Sequence, residues 1–238
     1  MDVAVRSLLW AGAIALGWVV SLGYALYLEV GSVPGWLVPV LVYGRAFLHT
    51  GLFIIAHDAA HGNLYTPNRR LNDQLGALAI AVYALLPYKK FVECHRLHHH
   101  IPGRVGDPDY HDGEHTHPVQ WYVKFMAGYL DNRQRLRVFV WFTVVFHGLR
   151  LGLGISAVNI LLFWVLPVFL SSWQLFWFGT YLPHRQPPQG YDNRHHARSS
   201  YLPVWLSFLT CYHFGYHWEH HELPHLPWFA LPRAIPKS

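Results

Sequence analysis

Charged residues are scarce in this 238-residue chain: Asp, Glu, Lys and Arg together make up 13% of it, whereas hydrophobic residues make up 53%. A water-soluble domain of this length would have to bury an unusually large apolar surface. The shortage of charge therefore favours a protein that exposes much of its surface to lipid. The length suits one domain, which we place over residues 1–238.

Cysteine is rarer still, since the chain contains Cys94 and Cys211 alone. Two cysteines that form no C-x-x-C motif exclude a disulfide framework and fit a reducing compartment or a membrane. The formal charge is +5, but the Lys and Arg residues are scattered among aromatic residues and form no basic arm or stripe. This distribution argues against a nucleic-acid partner.

Long apolar runs indicate where the chain crosses the membrane. A spanning helix needs about 20 apolar residues, and the candidate spans lie near residues 7–28, 33–56, 138–153 and 157–183. The first run lacks an A-x-A cleavage site, so we expect it to remain as a span. The apolar run from Leu75 to Tyr88 is too short to cross and is expected to lie at the interface or to re-enter. The predicted fold is an all-α integral membrane protein with about four transmembrane helices.

Basic residues indicate how these spans are oriented. Four spans put both termini and the long middle segment on one face, and every Lys and Arg lies there except Arg45, inside a span, and Arg150, in the opposite loop. By the positive-inside rule this face is cytoplasmic. We therefore predict a helical cap and both termini on the cytoplasmic side.

Histidine, by contrast, is abundant, with nineteen residues, and eight of them form three clusters near the predicted cytoplasmic face. His57 and His61, in HDAAH, are four residues apart and lie on one face of a helix. The other two clusters share the spacing His-x-x-His-His, which directs three imidazoles to one side of a helix. Their members are His95, His98, His99, His217, His220 and His221.

The number of clustered histidines indicates two metal ions. Eight imidazoles are too many for one ion with an open coordination position, whereas two redox-active ions can share them and leave room for dioxygen. A lone histidine is usually a hydrogen-bonded core or surface residue, but three matched clusters without an ion would leave many polar groups to satisfy. Because imidazole also suits zinc and copper, the spacing leaves the identity of the metal open.

Other polar residues near the clusters are candidates for the same site. His184 follows the last span at the depth of the clusters, so it is either a ninth ligand or an interfacial hydrogen-bonding residue. His213, one turn before His217, is predicted to orient a ligand rather than to bind metal. Carboxylates accept the free ring N–H of metal-bound histidines, and the candidates for that role are Asp58, Asp107, Asp109 and Glu219.

Two other kinds of metal protein fit part of the pattern. His221, Glu222 and His225 match the HExxH motif of zinc proteases. Pro224 would break the helix that has to place both histidines on one face, and this interpretation leaves the other clusters unexplained. A metal transporter would carry its ligands along the spans near the bilayer midplane, whereas here they gather at one boundary.

The three clusters resemble the membrane fatty-acid desaturase and hydroxylase superfamily, whose members bind two irons through histidines with these spacings. A narrower resemblance covers nearly all of the catalytic portion of the chain. Its motifs are similar to those of the bacterial and cyanobacterial beta-carotene ketolases: FIIAHDAAHG (Phe53–Gly62), LPYKK (Leu86–Lys90), DPDYH (Asp107–His111), QLFWFGTYLPHR (Gln174–Arg185) and TCYHFGYHWEHHELPHLPW (Thr210–Trp228).

This resemblance implies a di-iron oxygenase that converts carbon 4 of a carotenoid β-ionone ring to a ketone. β-Carotene would give echinenone and then canthaxanthin, by two hydroxylations and a dehydration at each ring. Dioxygen is implied as co-substrate, with an external electron donor such as ferredoxin and a carotenoid drawn from the bilayer. His184 becomes a ninth ligand beside the eight cluster histidines, and His195 a site residue of unassigned role. A fatty-acyl desaturase or a carotenoid ring hydroxylase is the alternative within the superfamily.

Overall fold

A computed structural model describes residues 2–234, and all regular elements in that range are helices. Two short 3₁₀ segments, Val30–Ser32 and Trp228–Arg233, accompany the main helices. The main helices are α1 (Val3–Leu26), α2 (Leu37–His61), α3 (Arg69–Ala84), α4 (Tyr88–His100), α5 (Pro118–Tyr129), α6 (Asn132–His147), α7 (Ala157–His184), α8 (Val204–Cys211) and α9 (His217–Glu222). A π-helical turn, Gly148–Gly152, extends α6, and two more, Leu161–Val165 and Trp177–Tyr181, lie within α7.

Three helices of the described chain are long and apolar enough to cross a membrane, namely α1, α2 and α7. They match three of the four predicted spans. The segment at 138–153 is helical, but it is not among these three because arginines stand in the first turns of α6 and in the turn that extends it. Helices α3 and α4 meet at an angle of 97°, which makes them a broken span or a re-entrant pair. This geometry agrees with the expectation that Leu75–Tyr88 does not cross as a simple helix.

Helix α2 is the central element, and α1, α3, α4 and α7 all pack against it. Two glycines allow close helix approach. A Cβ placed on Gly51 would lie 2.5 Å from Ile14 of α1 and 2.6 Å from the Tyr212 hydroxyl, and one on Gly76 of α3 would lie 2.5 Å from the Ala59 methyl group. Any larger side chain at either position would push α2 away from its neighbours. Helix α2, which ends in His57 and His61, is therefore held from several sides.

A buried arginine joins α2 to the two other long helices. Arg45 is 3% exposed, and its Nη1 donates to the carbonyl of Trp18 and to the Ser21 hydroxyl, both at 2.7 Å. Its Nε donates to the carbonyl of Phe163 at 3.1 Å, and its guanidinium lies 5.3 Å from the Trp18 ring centre. An ionisable group inside a span is costly unless its donors are paired. Here α1 and α7 supply the partners.

His49 belongs to this interior network and not to the histidine clusters. Its Nδ1 accepts a hydrogen bond from Trp18 Nε1 at 3.1 Å, so its Nε2 carries the proton and donates to the Tyr83 carbonyl at 3.0 Å. Each ring nitrogen thus has one suitable partner. The residue ties α2 to α1 and to the end of α3.

The end of the bundle opposite the histidines is closed by one amide side chain. Asn159 Nδ2 donates to the carbonyls of Ala25, Leu26 and Leu28, at 3.0, 3.2 and 2.7 Å. These carbonyls lie at and just beyond the end of α1, where the helix itself provides no N–H donors for its last carbonyls. The far ends of α6 and α7 pack there too, because Leu149 and Ile160 share a hydrophobic cluster with Leu26.

We expect Asn159→Ala to lower the free energy of unfolding by about 1 kcal/mol, because the buried carbonyls of α1 would lose a shared donor. Thermal unfolding of the purified protein in detergent measures this change. Val158→Ala is the matched control, since Val158 is the preceding residue and is 53% exposed. Equal melting temperatures for the two variants would contradict the assigned role of Asn159.

Candidate metal centre

Four helix ends bring all nine predicted metal ligands together. His57 and His61 occupy the last turns of α2, and α4 contributes three histidines from its second half. His184 is the last residue of α7, and α9 presents its three histidines within six residues. Both i,i+3 and i,i+4 spacings place side chains on one helix face, and in each helix that face points to the same interior space.

The first group of possible ligands comprises His57, His61, His95 and His220, whose ligand atoms all lie within 4.8 Å of one another. The Nε2 atoms of His57 and His220 are 3.2 Å apart, and those of His61 and His95 are 2.7 Å apart. His99 lies beside this group, with its Nε2 2.9 Å from Nε2 of His220. One ion could therefore have five imidazoles around it.

The second group comprises His98, His184, His217 and His221, all of them buried and again with ligand atoms within 4.8 Å of one another. Nε2 of His221 lies 3.1 Å from that of His98 and 3.0 Å from that of His217. The Nε2 atoms of His184 and His217 are 2.9 Å apart. His184, which the spacing left undecided between ligand and interfacial residue, thus lies within the group.

These short distances suit a shared cation better than hydrogen bonds. One Nε2 offers either a proton or a lone pair, yet Nε2 of His220 faces both His57 and His99, and Nε2 of His221 faces both His98 and His217. Two ring nitrogens bound to one ion at about 2.1 Å and at right angles would lie about 3 Å apart. The residues present therefore fit two metal ions.

The protonation of the α9 histidines also suits metal binding, which needs neutral imidazole. Burial, followed by the neighbouring histidines, lowers the pKa of His217, His220 and His221 well below the ordinary value. All three rings are therefore neutral near pH 7, with lone pairs available for coordination.

Asp107 orients the ring of His98. Its carboxylate lies 3.0 Å from Nδ1 of His98 and also accepts hydrogen bonds from the backbone N–H groups of Gly103 at 2.8 Å and Asp109 at 2.9 Å. Burial by itself raises the pKa of the Asp107 carboxyl, but His98 and these hydrogen bonds hold the pKa below its usual value. The arrangement fixes the His98 proton on Nδ1 and leaves Nε2 free for metal.

Asp109 lies beside this pair but is bound differently. Its Oδ2 is 3.9 Å from Nδ1 of His98, and its Oδ1 accepts a hydrogen bond from the Tyr129 hydroxyl at 2.7 Å. Burial raises the pKa of Asp109 to about 6, with Asp107 adding to the rise and His98 opposing it. The carbonyl of Asp109 accepts from Trp121 Nε1 at 2.8 Å, so the loop is anchored to α5.

Asp58 and Glu219 are buried close to the clustered histidines, but their carboxylate oxygens accept hydrogen bonds from other groups. Asp58 Oδ2 accepts from the backbone N–H of Trp228 at 3.3 Å, and its Oδ1 is 3.6 Å from Nδ1 of His57, too long for a hydrogen bond. Glu219 accepts a hydrogen bond from the Ser199 hydroxyl. Both carboxylates therefore anchor the loops around the centre, and neither accepts a hydrogen bond from the ring N–H of a histidine.

His195 and His213 lie outside the two groups. Nε2 of His195 is 2.8 Å from Glu222 Oε2, and its ring centre is 5.6 Å from that of His221. The expected helical turn between His213 and His217 is absent, because Tyr212 and His213 have φ angles of 47° and 64°. Nδ1 of His213 instead lies 3.2 Å from the Ser207 hydroxyl.

The HExxH zinc-protease motif does not lie on one helix, as we expected from the position of Pro224. Helix α9 ends at Glu222, before the proline. The prospective general base Glu222 is paired with Arg194 and His195, both at 2.8 Å, and among the described residues His225 belongs to neither histidine group.

One supporting contact had no signal in the sequence. Nδ1 of His184 donates to the carbonyl of His196 at 2.8 Å, which fixes this ring with Nε2 facing the second group. A backbone acceptor can come from any residue type, so only the folded loop identifies it.

Residues 34–237 match the fatty acid desaturase family. The chain belongs to that family. A beta-carotene ketolase of Paracoccus sp. (strain PC1) is 40% identical over 223 residues, which cover 93% of this chain and 89% of the relative. A zeaxanthin 4-ketolase of Chlamydomonas reinhardtii is 40% identical over 232 residues, 95% of this chain, and this chain spans 50% of that relative. A beta-carotene ketolase of Paracoccus sp. (strain N81106 / MBIC 01143) is 39% identical over 238 residues, 100% of this chain and 95% of the relative.

In this member of the family an apolar cavity of about 460 Å³ leads to the histidines. Four of the nine line its inner end, namely His57, His95, His98 and His217, together with Phe214. The walls come mainly from α5, α6 and α7, and most of the lining residues are apolar: Phe125, Met126, Val138, Phe139, Phe142, Val165, Val168, Phe169 and Leu175. Pockets of several hundred Å³ with a few convergent polar groups are typical of ligand sites.

We expect Asp107→Asn to weaken metal binding by about 10- to 100-fold, because the amide is a poorer acceptor for the His98 N–H. Metal content measured after dialysis against a chelator checks this. Asp112→Asn is the matched control, because Asp112 lies in the same loop but is bound to the exposed His115, at 2.6 Å. Wild-type metal retention in the Asp107 variant would show that this carboxylate does not support the centre.

Proposed function

We propose that this chain is a membrane-bound, di-iron, dioxygen-dependent oxygenase that converts carbon 4 of carotenoid β-ionone rings to a ketone. The observation that carries the proposal is an apolar cavity whose inner end is formed by converging histidines. An apolar ring entering that cavity would be brought to the metal-binding groups. Similarity to relatives named beta-carotene ketolase over most of the chain supports the choice of substrate.

The overall reaction at one ring has a fixed balance. A methylene group, two dioxygen molecules, four electrons and four protons give a ketone and three water molecules. Two successive hydroxylations at carbon 4 form a geminal diol, which loses water. β-Carotene would give echinenone after one ring and canthaxanthin after both. The electrons come from an external donor, for which ferredoxin or a similar reductant is the expectation.

The nine histidines would hold two iron ions through their Nε2 atoms, five around one site and four around the other. When bound, the ions would supply the activation of dioxygen and the removal of hydrogen from the ring carbon. The protein side chains position these groups. Asp107 and the carbonyl of His196 fix the rings of His98 and His184, so that their Nε2 atoms face inward.

Aromatic side chains shield the inner end of the cavity from water. The Phe214 ring lies 4.7 Å from that of His57, and Phe91 is stacked on His95 at 6.0 Å. Phe53 packs edge-on against both Phe91 and Phe214, at 5.3 and 6.2 Å. A dry pocket strengthens polar interactions at the reacting carbon and limits side reactions with water.

The proposed membrane arrangement has four crossings, with the metal centre and both termini on the cytoplasmic side. His61, His99 and His184 lie at one end of the bundle, whereas Ile160 and Leu149 pack at the other end. Between His99 and Ile160 the chain must therefore pass from one end to the other, and α6 makes that passage. The basic residues of the histidine side support the cytoplasmic assignment through the positive-inside rule.

Expression in cells that accumulate β-carotene, followed by pigment chromatography, tests the proposal. We expect keto-carotenoids to appear only in cells that express the protein. Hydroxylated pigment would favour a ring hydroxylase, and unchanged pigment with altered fatty acids would favour an acyl desaturase. Either result would overturn the ketolase assignment.

We expect His98→Ala and His220→Ala each to abolish the keto product, because each removes an imidazole from the centre of one group. Immunoblots of the membrane fraction check that the variants are still produced. His100→Ala is the matched control, since His100 is the exposed neighbour of His99 on α4 and lies in neither group. Keto product from either ligand variant would remove that histidine from the proposed ligand set.

A further inference from the structure

Two residues that line the cavity are also among the most exposed aromatic residues of the described chain. Phe139 of α6 is 69% exposed and Phe169 of α7 is 63% exposed, yet both contribute to the cavity wall. A side chain can do both only where the cavity reaches the protein surface. The cavity therefore has a mouth between α6 and α7, far from the histidines that form its inner end.

The protein surface around this mouth is mainly apolar, with the exposed Arg135 and Arg137 on its side nearer the start of α6. Leu136 of α6 is 63% exposed, and Leu166 and Leu170 of α7 are each 39% exposed. Exposed apolar side chains at this density on adjacent helices are expected where the solvent is lipid. The mouth is thus bordered by a surface suited to the hydrocarbon of the bilayer.

The position of the mouth along α7 agrees with a location in the hydrocarbon of the bilayer. Phe169 precedes His184 by fifteen residues, which corresponds to about 20 Å along a helix. The hydrocarbon core is about 30 Å thick. With His184 at the membrane boundary, Phe169 lies well inside the hydrocarbon.

A continuous stripe of α7 connects the mouth to the inner end. Its members recur every three or four residues on one helix face: Val165, Val168, Phe169, Ser172, Leu175, Gly179 and Thr180. At the inner end a Cβ on Gly179 would lie 2.8 Å from the ring of Phe214, which itself packs on His57. The missing side chain at Gly179 lets Phe214 pack directly on α7 beside the metal-binding groups.

We infer that the opening at Phe139 and Phe169 is a lateral portal, through which one end of a carotenoid enters from the bilayer while its polyene chain remains between α6 and α7. This inference rests on the proposed function for the identity of the substrate. One ring lies at the histidines, and the remainder of the molecule extends through the portal into lipid. Ketone formation at the ring follows the balance given above and needs no further reactant.

Narrowing the cavity from either wall tests the portal. Val138→Trp on α6 and Val168→Trp on α7 each place an indole among the lining residues. We expect either change to reduce both the β-carotene that co-purifies with the protein and the rate of keto-product formation by about tenfold or more. Val140→Trp is the matched control, because Val140 is exposed on the same helix and does not line the cavity; it should leave both quantities unchanged.

Metal content and melting temperature distinguish a blocked portal from a damaged protein. A narrowing variant that keeps its metal ions but loses bound β-carotene supports the portal. Unchanged pigment binding in both narrowing variants would overturn it, as would an equal loss in the Val140 control. Because pigment binding does not require turnover, a wild-type protein that binds β-carotene but forms no ketone would refute the proposed function alone.

Chemical protection locates the bound pigment directly. Phe139→Cys, Phe169→Cys and Val140→Cys can be labelled with a lipid-soluble maleimide in membranes, and mass spectrometry of the labelled peptides separates them from Cys94 and Cys211. We expect β-carotene to slow labelling of the Phe139→Cys and Phe169→Cys proteins but not of the Val140→Cys protein. Equal labelling of all three with and without pigment would place the substrate elsewhere.

Discussion

The convergence of nine imidazole nitrogens on two buried points is the constraint on which the rest of this structure depends. Each Nε2 can be a donor or an acceptor but not both, and those of His220 and His221 each lie within 3.2 Å of two others, which fits a shared cation better than hydrogen bonds. Four helix ends must therefore be held within a few ångströms of one another. Only rigid surroundings can achieve this, since a shift of one helix would separate several ligands at once.

The remainder of the bundle supplies that rigidity. Helix α2 lies against five other helices of the described chain, α1, α3, α4, α7 and α8, with close approaches at Gly51 and Gly76. Arg45 and His49 then link it to its neighbours through paired donors within the apolar interior. At the opposite end Asn159 fastens α7 to α1. Polar side chains in the middle and at the far end thus fix the directions of the helices whose near ends carry the clustered histidines.

Much of the centre could be predicted from sequence, because ligand spacing on a helix is a local property. The i,i+3 and i,i+4 patterns identified the eight cluster histidines, and the structure brings them together with His184. Predictions that required a loop conformation were less accurate. His213 was expected one helical turn from His217, but positive φ angles at Tyr212 and His213 interrupt the helix. The partner of His184 is a backbone carbonyl, which no residue type reveals.

The cavity could not be predicted from the sequence either. Helices α6 and α7 are apolar on their outward faces as well as on the faces that line the cavity, so periodicity cannot separate the two faces. Under the proposed function, its shape has a further consequence for products. A cavity with one inner end would treat a two-ringed carotenoid one ring at a time, and the molecule would have to leave, turn and return before its second ring reacts. The half-oxidised pigment would then spend part of its life free in the bilayer. There it would mix with the general carotenoid pool, so the final ratio of one-ring to two-ring products would depend on membrane abundance as well as on the enzyme.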